Sequence, residues 1–224
     1  MPLSIVSTPI GNLEDITLRA LRTLKEVDFI CAEDTRTSKK LLDHYNITAP
    51  LTSFHAHSTD QKREAIVRRM KNGESAALIS DAGTPGISDP GWILIRDCIA
   101  SEIQVIPIPG ASAVLSALVG SGLPMDKFLY LGFLPLKKGR QTLFKQLAGE
   151  KRTVVFYESP KRIVRTLEQL SQYVPESTQV VIARELTKMY EEFIRGDINH
   201  VLDALKERFS IKGEIVVLLR ISAK

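Results

Sequence analysis

Three polar clusters stand where apolar runs end. Asp81 lies in Ser80-Asp81-Ala82-Gly83-Thr84-Pro85-Gly86-Ile87-Ser88-Asp89-Pro90-Gly91, directly after Ala76-Ala77-Leu78-Ile79. Glu33-Asp34-Thr35-Arg36 follows a run ending at Ala32, and Arg184-Glu185-Leu186-Thr187-Lys188 follows one ending at Ala183. A carboxylate framed by glycines and prolines suits a ligand bearing an amine, hydroxyls or positive charge. The glycines let backbone approach the ligand while the prolines hold the path. Neighbouring acids and bases can hold or move a proton, or can merely pair with one another as surface ions. Asp34 is equally readable as the N-cap of the next helix.

Such residues need elements to position them. The strand-then-Gly/Pro pattern recurs in the same half of the chain, as Thr8-Pro9-Ile10-Gly11-Asn12 after the apolar stretch 3–7 and as Pro109-Gly110-Ala111-Ser112-Ala113 after 104–108. Repeated strand, stiff loop and helix predict an α/β fold whose mostly parallel sheet presents a ligand site at its carboxyl edge. Neither a Walker loop nor G-x-G-x-x-G is present, which argues against a nucleotide phosphate cradle. Spacing predicts strands over 27–32 and 51–54, with helices over 16–25 (capped by Asn12 or Asp15), 37–45, 60–70, 92–100 and 114–120. The break Gly120-Ser121-Gly122-Leu123-Pro124 sets the expected domain boundary, giving 1–120 and 121–224. Beyond it, strands are expected over 128–132, 153–157, 180–183 and 214–221, with 190–195 antiparallel, and helices over 139–147 and 201–209. Pro160 reads as part of a first helical turn. Phe133, Phe156 and Tyr157 read as core, since each lies in an apolar strand pattern.

At 224 residues, 44% hydrophobic and 25% charged, the composition is that of a globular protein of one large domain or two small ones. Cys31 and Cys98 lie in apolar segments, so no disulfide framework is expected. Zinc spacings are missing, and His55-Ala56-His57 reads as a solvated loop, so no metal is expected. With no basic leader and no run of membrane-spanning length, the reading is a cytoplasmic protein with no membrane partner. The net charge of +4 is unevenly spread: Asp126 to Arg165 holds ten basic against three acidic residues, an excess of +7 that leaves −3 elsewhere. That segment predicts contact with a polyanion.

Six motifs in order carry a resemblance: Thr8-Pro9-Ile10-Gly11-Asn12-Leu13, Glu33-Asp34-Thr35-Arg36, the loop 80–91, Gly132-Phe133-Leu134-Pro135, Phe156-Tyr157-Glu158-Ser159 and Ala183-Arg184-Glu185-Leu186-Thr187-Lys188. Together they resemble the tetrapyrrole methylase superfamily, and within it the bacterial enzymes that methylate the ribose 2′-hydroxyl of a cytidine in the decoding region of small-subunit ribosomal RNA. The resemblance spans essentially the whole chain. It implies two α/β/α-layered domains, S-adenosylmethionine in the cleft between them, and a homodimer. It carries cofactor contact to Pro9, Asp81, Gly83, Thr84, Ile87, Ser112, Ala113 and Leu134, and by extension to Arg184, Glu185 and Gly213. Relatives often read Pro-Gly-Pro-Cys-Ala where this chain has Pro109-Gly110-Ala111-Ser112-Ala113, a change small enough to keep the pocket. Many also continue into a small C-terminal helical domain, whereas this chain ends soon after Lys212-Gly213-Glu214, which implies a retained cofactor site and weaker RNA affinity.

For the chemistry, Glu33 is the expected proton acceptor, oriented by Arg36, with Lys188 as the alternative base; the other reading of these residues is ion pairing that ties the domains together. Lys137, Lys138, Arg140, Lys161 and Arg162 are the expected RNA phosphate contacts. Two rival functions share this fold, methylation of a tetrapyrrole or other small molecule, and a non-catalytic ribosome-assembly factor. The basic segment argues against a small acceptor.

Overall fold

The computed structural model describes residues 1–221. In the first part of the chain β1 (Leu3–Val6), β2 (Phe29–Ala32), β3 (Leu51–Ser53), β4 (Ala76–Ile79) and β5 (Val105–Ile108) form one parallel sheet in the order β3-β2-β4-β1-β5. β1, β2 and β4 are buried at every position, as central strands covered on both faces must be. Pro107 is confined to the edge strand β5, where its missing N–H interrupts no central ladder.

Side chains alternate across a strand, so each run feeds two cores. Phe29, Cys31, Ala76 and Leu78 gather with residues of α3 (Asp60–Lys71) and α4 (Gly91–Ala100); Ile30, Ala32, Ala77 and Ile79 gather with α1 (Leu18–Glu26) and α2 (Thr35–His44). The result is an α/β/α sandwich. Thr17, rather than Asn12 or Asp15, caps α1 by accepting from the Ala20 amide at 3.1 Å, while Asn12 caps only a short 3-10 turn. Both cysteines are free and buried, and burial pushes each thiol up to about 12.

The chain divides into compact units Met1–Ser112 and Ala113–Lys224, earlier than the expected 120/121 boundary. The reason is α5 (Ala113–Ser121), which buries Val114, Ala117 and Leu118 and packs on the second sheet. A methyl on Gly120 would overlap the Phe193 ring, so the ring can lie this close only because no side chain stands there. The composition break therefore marks the end of a helix of the second unit.

The second sheet holds β6 (Phe128–Phe133), β7 (Thr153–Glu158), β8 (Gln179–Arg184), β9 (Glu192–Asp197) and β10 (Ile215–Arg220) in the order β6-β7-β10-β8-β9. β6 and β7 are parallel and the remaining pairs antiparallel. α6 (Arg140–Leu147), α7 (Ile163–Ser171) and α8 (Ile198–Lys206) bury Phe144, Leu167 and Val201 against Phe156, Ile182 and Val217 on one face, and α5 lies on the other. α7 begins at Ile163, with Pro160 in the preceding turn, where the Ser159 carbonyl accepts from the Arg162 and Ile163 amides. Among the described residues no helix is long and apolar enough to cross a membrane.

Candidate active site

β4, β1 and β5 are parallel neighbours, so their three carboxyl-end loops emerge together, and hydrogen bonds lace them. The Thr8 amide donates to the Gly83 carbonyl at 2.9 Å and the Gly83 amide returns a bond to the Thr8 carbonyl at 3.0 Å. Thr84 links all three loops: its hydroxyl lies 2.9 Å from Ser7 Oγ and donates to the Ala111 carbonyl at 3.2 Å. Gly110 lets the third loop press on the first, since a methyl there would come within 2.9 Å of Ser7 Cβ. Gly83, at φ +79°, takes a left-handed conformation that side chains disfavour. Farther along, the Asp89 carboxylate accepts from the Gly86 amide at 2.8 Å and the Gly91 amide at 2.6 Å.

This lattice brings the expected first-unit residues onto one strand edge. Pro9 and Gly83 are buried, Thr84 and Ser112 half-buried, and Asp81 and Ile87 exposed; Ala113 follows as the first residue of α5. Ser7, Gly110 and Asp89 were not among the residues expected here. Gly110 and Asp89 stood in quoted motifs, but nothing in the sequence told of the contacts they make.

The β2 exit joins the same edge, because the Asp34 amide donates to Asp81 Oδ1 at 3.0 Å. Glu33 is half-buried there, and burial first, then the charges of Asp81 and Asp89, raise its pKa above the ordinary carboxylate value. Asp34 does the capping: it accepts from the Arg36 amide at 2.8 Å and grips the guanidinium at 3.1 and 2.7 Å, which holds its carboxyl at about 2. Arg36 thus pairs with Asp34 rather than orienting Glu33, and its side chain is 89% exposed.

In the second unit Arg184, Glu185, Lys188 and Gly213 form their own lattice. Arg184 bonds Glu192, the Lys212 carbonyl at 2.9 Å and the Tyr190 carbonyl at 3.2 Å. Glu185 accepts from the Glu214 amide at 2.9 Å and from Lys188 at 3.2 Å. Gly213, at φ +90°, has Glu185 where a side chain would stand. Burial disfavours the Lys188 ammonium, but Glu214 and Glu185 outweigh it and raise its pKa, so Lys188 offers positive charge rather than a vacant lone pair. Leu134 is 3% exposed and packs in the core, leaving its backbone as what it can offer a ligand.

The sequence profile described as Tetrapyrrole (Corrin/Porphyrin) Methylases matches residues 2–202. The chain belongs to the tetrapyrrole methylase family. It is 50% identical over 222 residues, 98% of this chain and 95% of the other, to the ribosomal RNA small subunit methyltransferase I of Hydrogenobaculum sp. (strain Y04AAS1). The enzyme of that name from Escherichia coli O157:H7 is 47% identical over 97% of this chain and 77% of its own. Among solved structures, a diphthine synthase superposes with a TM-score of 0.76 at 13% identity, covering 98% of this chain and 90% of the other, a likeness of fold. This tetrapyrrole methylase is a methyltransferase whose methyl donor is S-adenosylmethionine. Its three laced loops contain Asp81 and Asp89 but no lysine or arginine. That donor set fits a ligand carrying an ammonium, a sulfonium and ribose hydroxyls, not one carrying phosphates.

The basic segment of this methylase divides into two kinds of residue. Lys137, Lys138 and Lys161 are exposed. Arg140 instead donates to Gln169 at 2.9 Å, the Pro135 carbonyl at 3.0 Å and Thr166 at 2.7 Å. Arg162 pairs at 2.5 Å with Glu158, whose side chain is fully buried and also accepts from Thr166 at 2.7 Å. These two arginines brace the fold, so the three lysines are the more exposed of the expected phosphate contacts. Phe156 is buried as expected, but Phe133 is 57% exposed. Among the described residues no group of His, Cys, Asp or Glu has the geometry of a metal site.

Proposed function

We propose that this methyltransferase modifies the ribose 2′-hydroxyl of a cytidine in the decoding region of small-subunit ribosomal RNA, acting in the cytoplasm as a homodimer. The observation that carries the reading is near-full-length identity of 45–50% to enzymes named for the small-subunit RNA. The exposed lysines 137, 138 and 161 support a phosphate-bearing substrate over a small ring acceptor.

Pro9, Asp81, Gly83, Thr84, Ile87, Ser112 and Ala113 would hold the donor in this account, with Leu134 contributing backbone. Arg184, Glu185 and Gly213 are proposed as further donor contacts. When bound, S-adenosylmethionine supplies a methyl on a sulfonium, a group ready to leave. The harder task is the nucleophile, because a ribose hydroxyl is barely acidic near neutrality. Glu33 would accept that proton, and its raised pKa makes it a better acceptor than an ordinary surface carboxylate. Lys188, kept protonated by Glu185 and Glu214, would stabilise negative charge on the oxygen.

The test supplies labelled donor with unmodified small ribosomal subunits, naked small-subunit RNA, or a precorrin-type ring. Label in the RNA, sensitive to charge reversal at Lys137 and Lys138, is the expected result. Label only in the ring, or donor binding without transfer to any acceptor, would replace this reading with one of the two rivals.

A further inference from the structure

The strand β6 spends an irregularity on one side chain. Leu129 and Leu131 pack into the core while Tyr130 faces the other way, so strict alternation would send Phe133 inward beside them. The pairing with β7 instead slips: Tyr130 opposes Val155, but Phe133 opposes Tyr157, so β6 carries one residue more than its partner over that interval. Gly132, at φ +61°, supplies the left-handed backbone such a bulge needs. The slip sends Leu134 into the core and turns Phe133 out, 57% exposed. Outside, Phe133 meets Tyr157 with ring centroids 5.4 Å apart, and Tyr157 meets Tyr130 at 5.6 Å. The rings thus back one another across the edge strand β6 and its neighbour β7.

The strand exits supply positive charge, with Glu214 as the acidic group that acts on Tyr157. β6 and β7 run parallel, so the chain leaves both at the same end, and the exits carry exposed Lys137 and Lys138 after β6 and Lys161 after β7. An exposed, backed aromatic face beside phosphate-binding charge is how proteins hold an unstacked nucleotide. We propose that Phe133, braced by Tyr157, is the platform on which the base of the target nucleotide stacks while its ribose is presented for methylation. This rests on the RNA reading above and adds the residue that positions the substrate.

The experiment compares wild type with Phe133→Ala, Phe133→Leu and Phe133→Tyr, using unmodified small ribosomal subunits and labelled S-adenosylmethionine. Loss of the ring should raise KM for the subunit about 10-fold, the scale of one lost base-stacking contact. Donor affinity by calorimetry and sedimentation mass should stay at wild-type values. Phe133→Tyr should restore KM to within about 2-fold, whereas Phe133→Leu, apolar but without a π face, should not. Equal KM for wild type and Phe133→Ala, full rescue by leucine, or an altered sedimentation mass, which marks a protein contact, each overturns the platform and leaves the RNA reading standing. A wild-type chain that transfers nothing to the subunit overturns both.

Discussion

Gly110→Ala tests whether the laced loops are as tight as drawn. The added carbon would lie 2.9 Å from Ser7 Cβ and 3.3 Å from the Ser7 carbonyl oxygen. Carbon contacts prefer about 3.5–4.0 Å, so one loop must move by roughly 0.6 Å or more. Little can yield cheaply: the obstacle is backbone and Cβ, the Ser7 amide bonds the Ile108 carbonyl at 3.3 Å, and its hydroxyl is held by Thr84 at 2.9 Å. Overpacking of this kind costs about 1–3 kcal/mol. At 2 kcal/mol the melting temperature of a chain this size falls by about 4–8 °C. The same movement pulls on the bond from Thr84 to Ala111, so donor affinity should fall about 10-fold, equivalent to 1.4 kcal/mol. Calorimetry and thermal melts on this variant and on Gly149→Ala, where the new carbon meets only the Gln146 carbonyl at 3.9 Å, give the comparison. If both variants melt and bind alike, the tight-loop account is wrong.

Glu33→Gln should cut methyl transfer at least about 100-fold with donor affinity retained. Because the folded pKa of Glu33 is raised, its favourable linkage exists at low pH and is lost as pH rises through that pKa, so at pH 7 the glutamine form should be as stable as wild type or more so. Denaturant unfolding at pH 7 reads this, and a clear loss of stability would make Glu33 a structural residue instead. Glu192 runs the other way: the Arg208 hydrogen bond, joined by Arg184 and opposed by burial, holds it at about 2 against an ordinary 4.5. Its contribution is therefore present above 4.5 and lost as pH falls toward 2, so Glu192→Gln should flatten the fall of melting temperature over that interval, and an unchanged slope would contradict the pairing. Arg140→Ala should cost about 2 kcal/mol of stability through its lost hydrogen bonds and leave the salt dependence of RNA binding alone. Lys137→Glu with Lys138→Glu should instead flatten that dependence, by about 0.7 in log–log slope per lost phosphate contact.

Much of the fold was legible because its signals are local. Apolar runs such as Ala76-Ala77-Leu78-Ile79 have one stable fate in an α/β protein, and the Gly/Pro segments after them mark the strand exits. What escaped depends on partners far along the chain. The fate of α5 was set by the second sheet and by Phe193 against Gly120, partners that the break at its end does not reveal. Arg36 and Arg140 look alike in sequence as cations near a strand exit, yet one is exposed beside Asp34 and the other is committed to Gln169, Pro135 and Thr166. Phe133 read as core because it lies in an apolar strand pattern, and the bulge at Gly132 turned it outward.

The most direct measurement is nucleoside analysis by mass spectrometry of small-subunit RNA from cells with and without this protein, and of the same RNA after treatment with the purified chain and S-adenosylmethionine. The account predicts one cytidine that lacks a ribose methyl in the deleted cells and regains it in vitro with wild type but not with Glu33→Gln. An unchanged ribose profile, or a methyl on the base rather than the sugar, would contradict it.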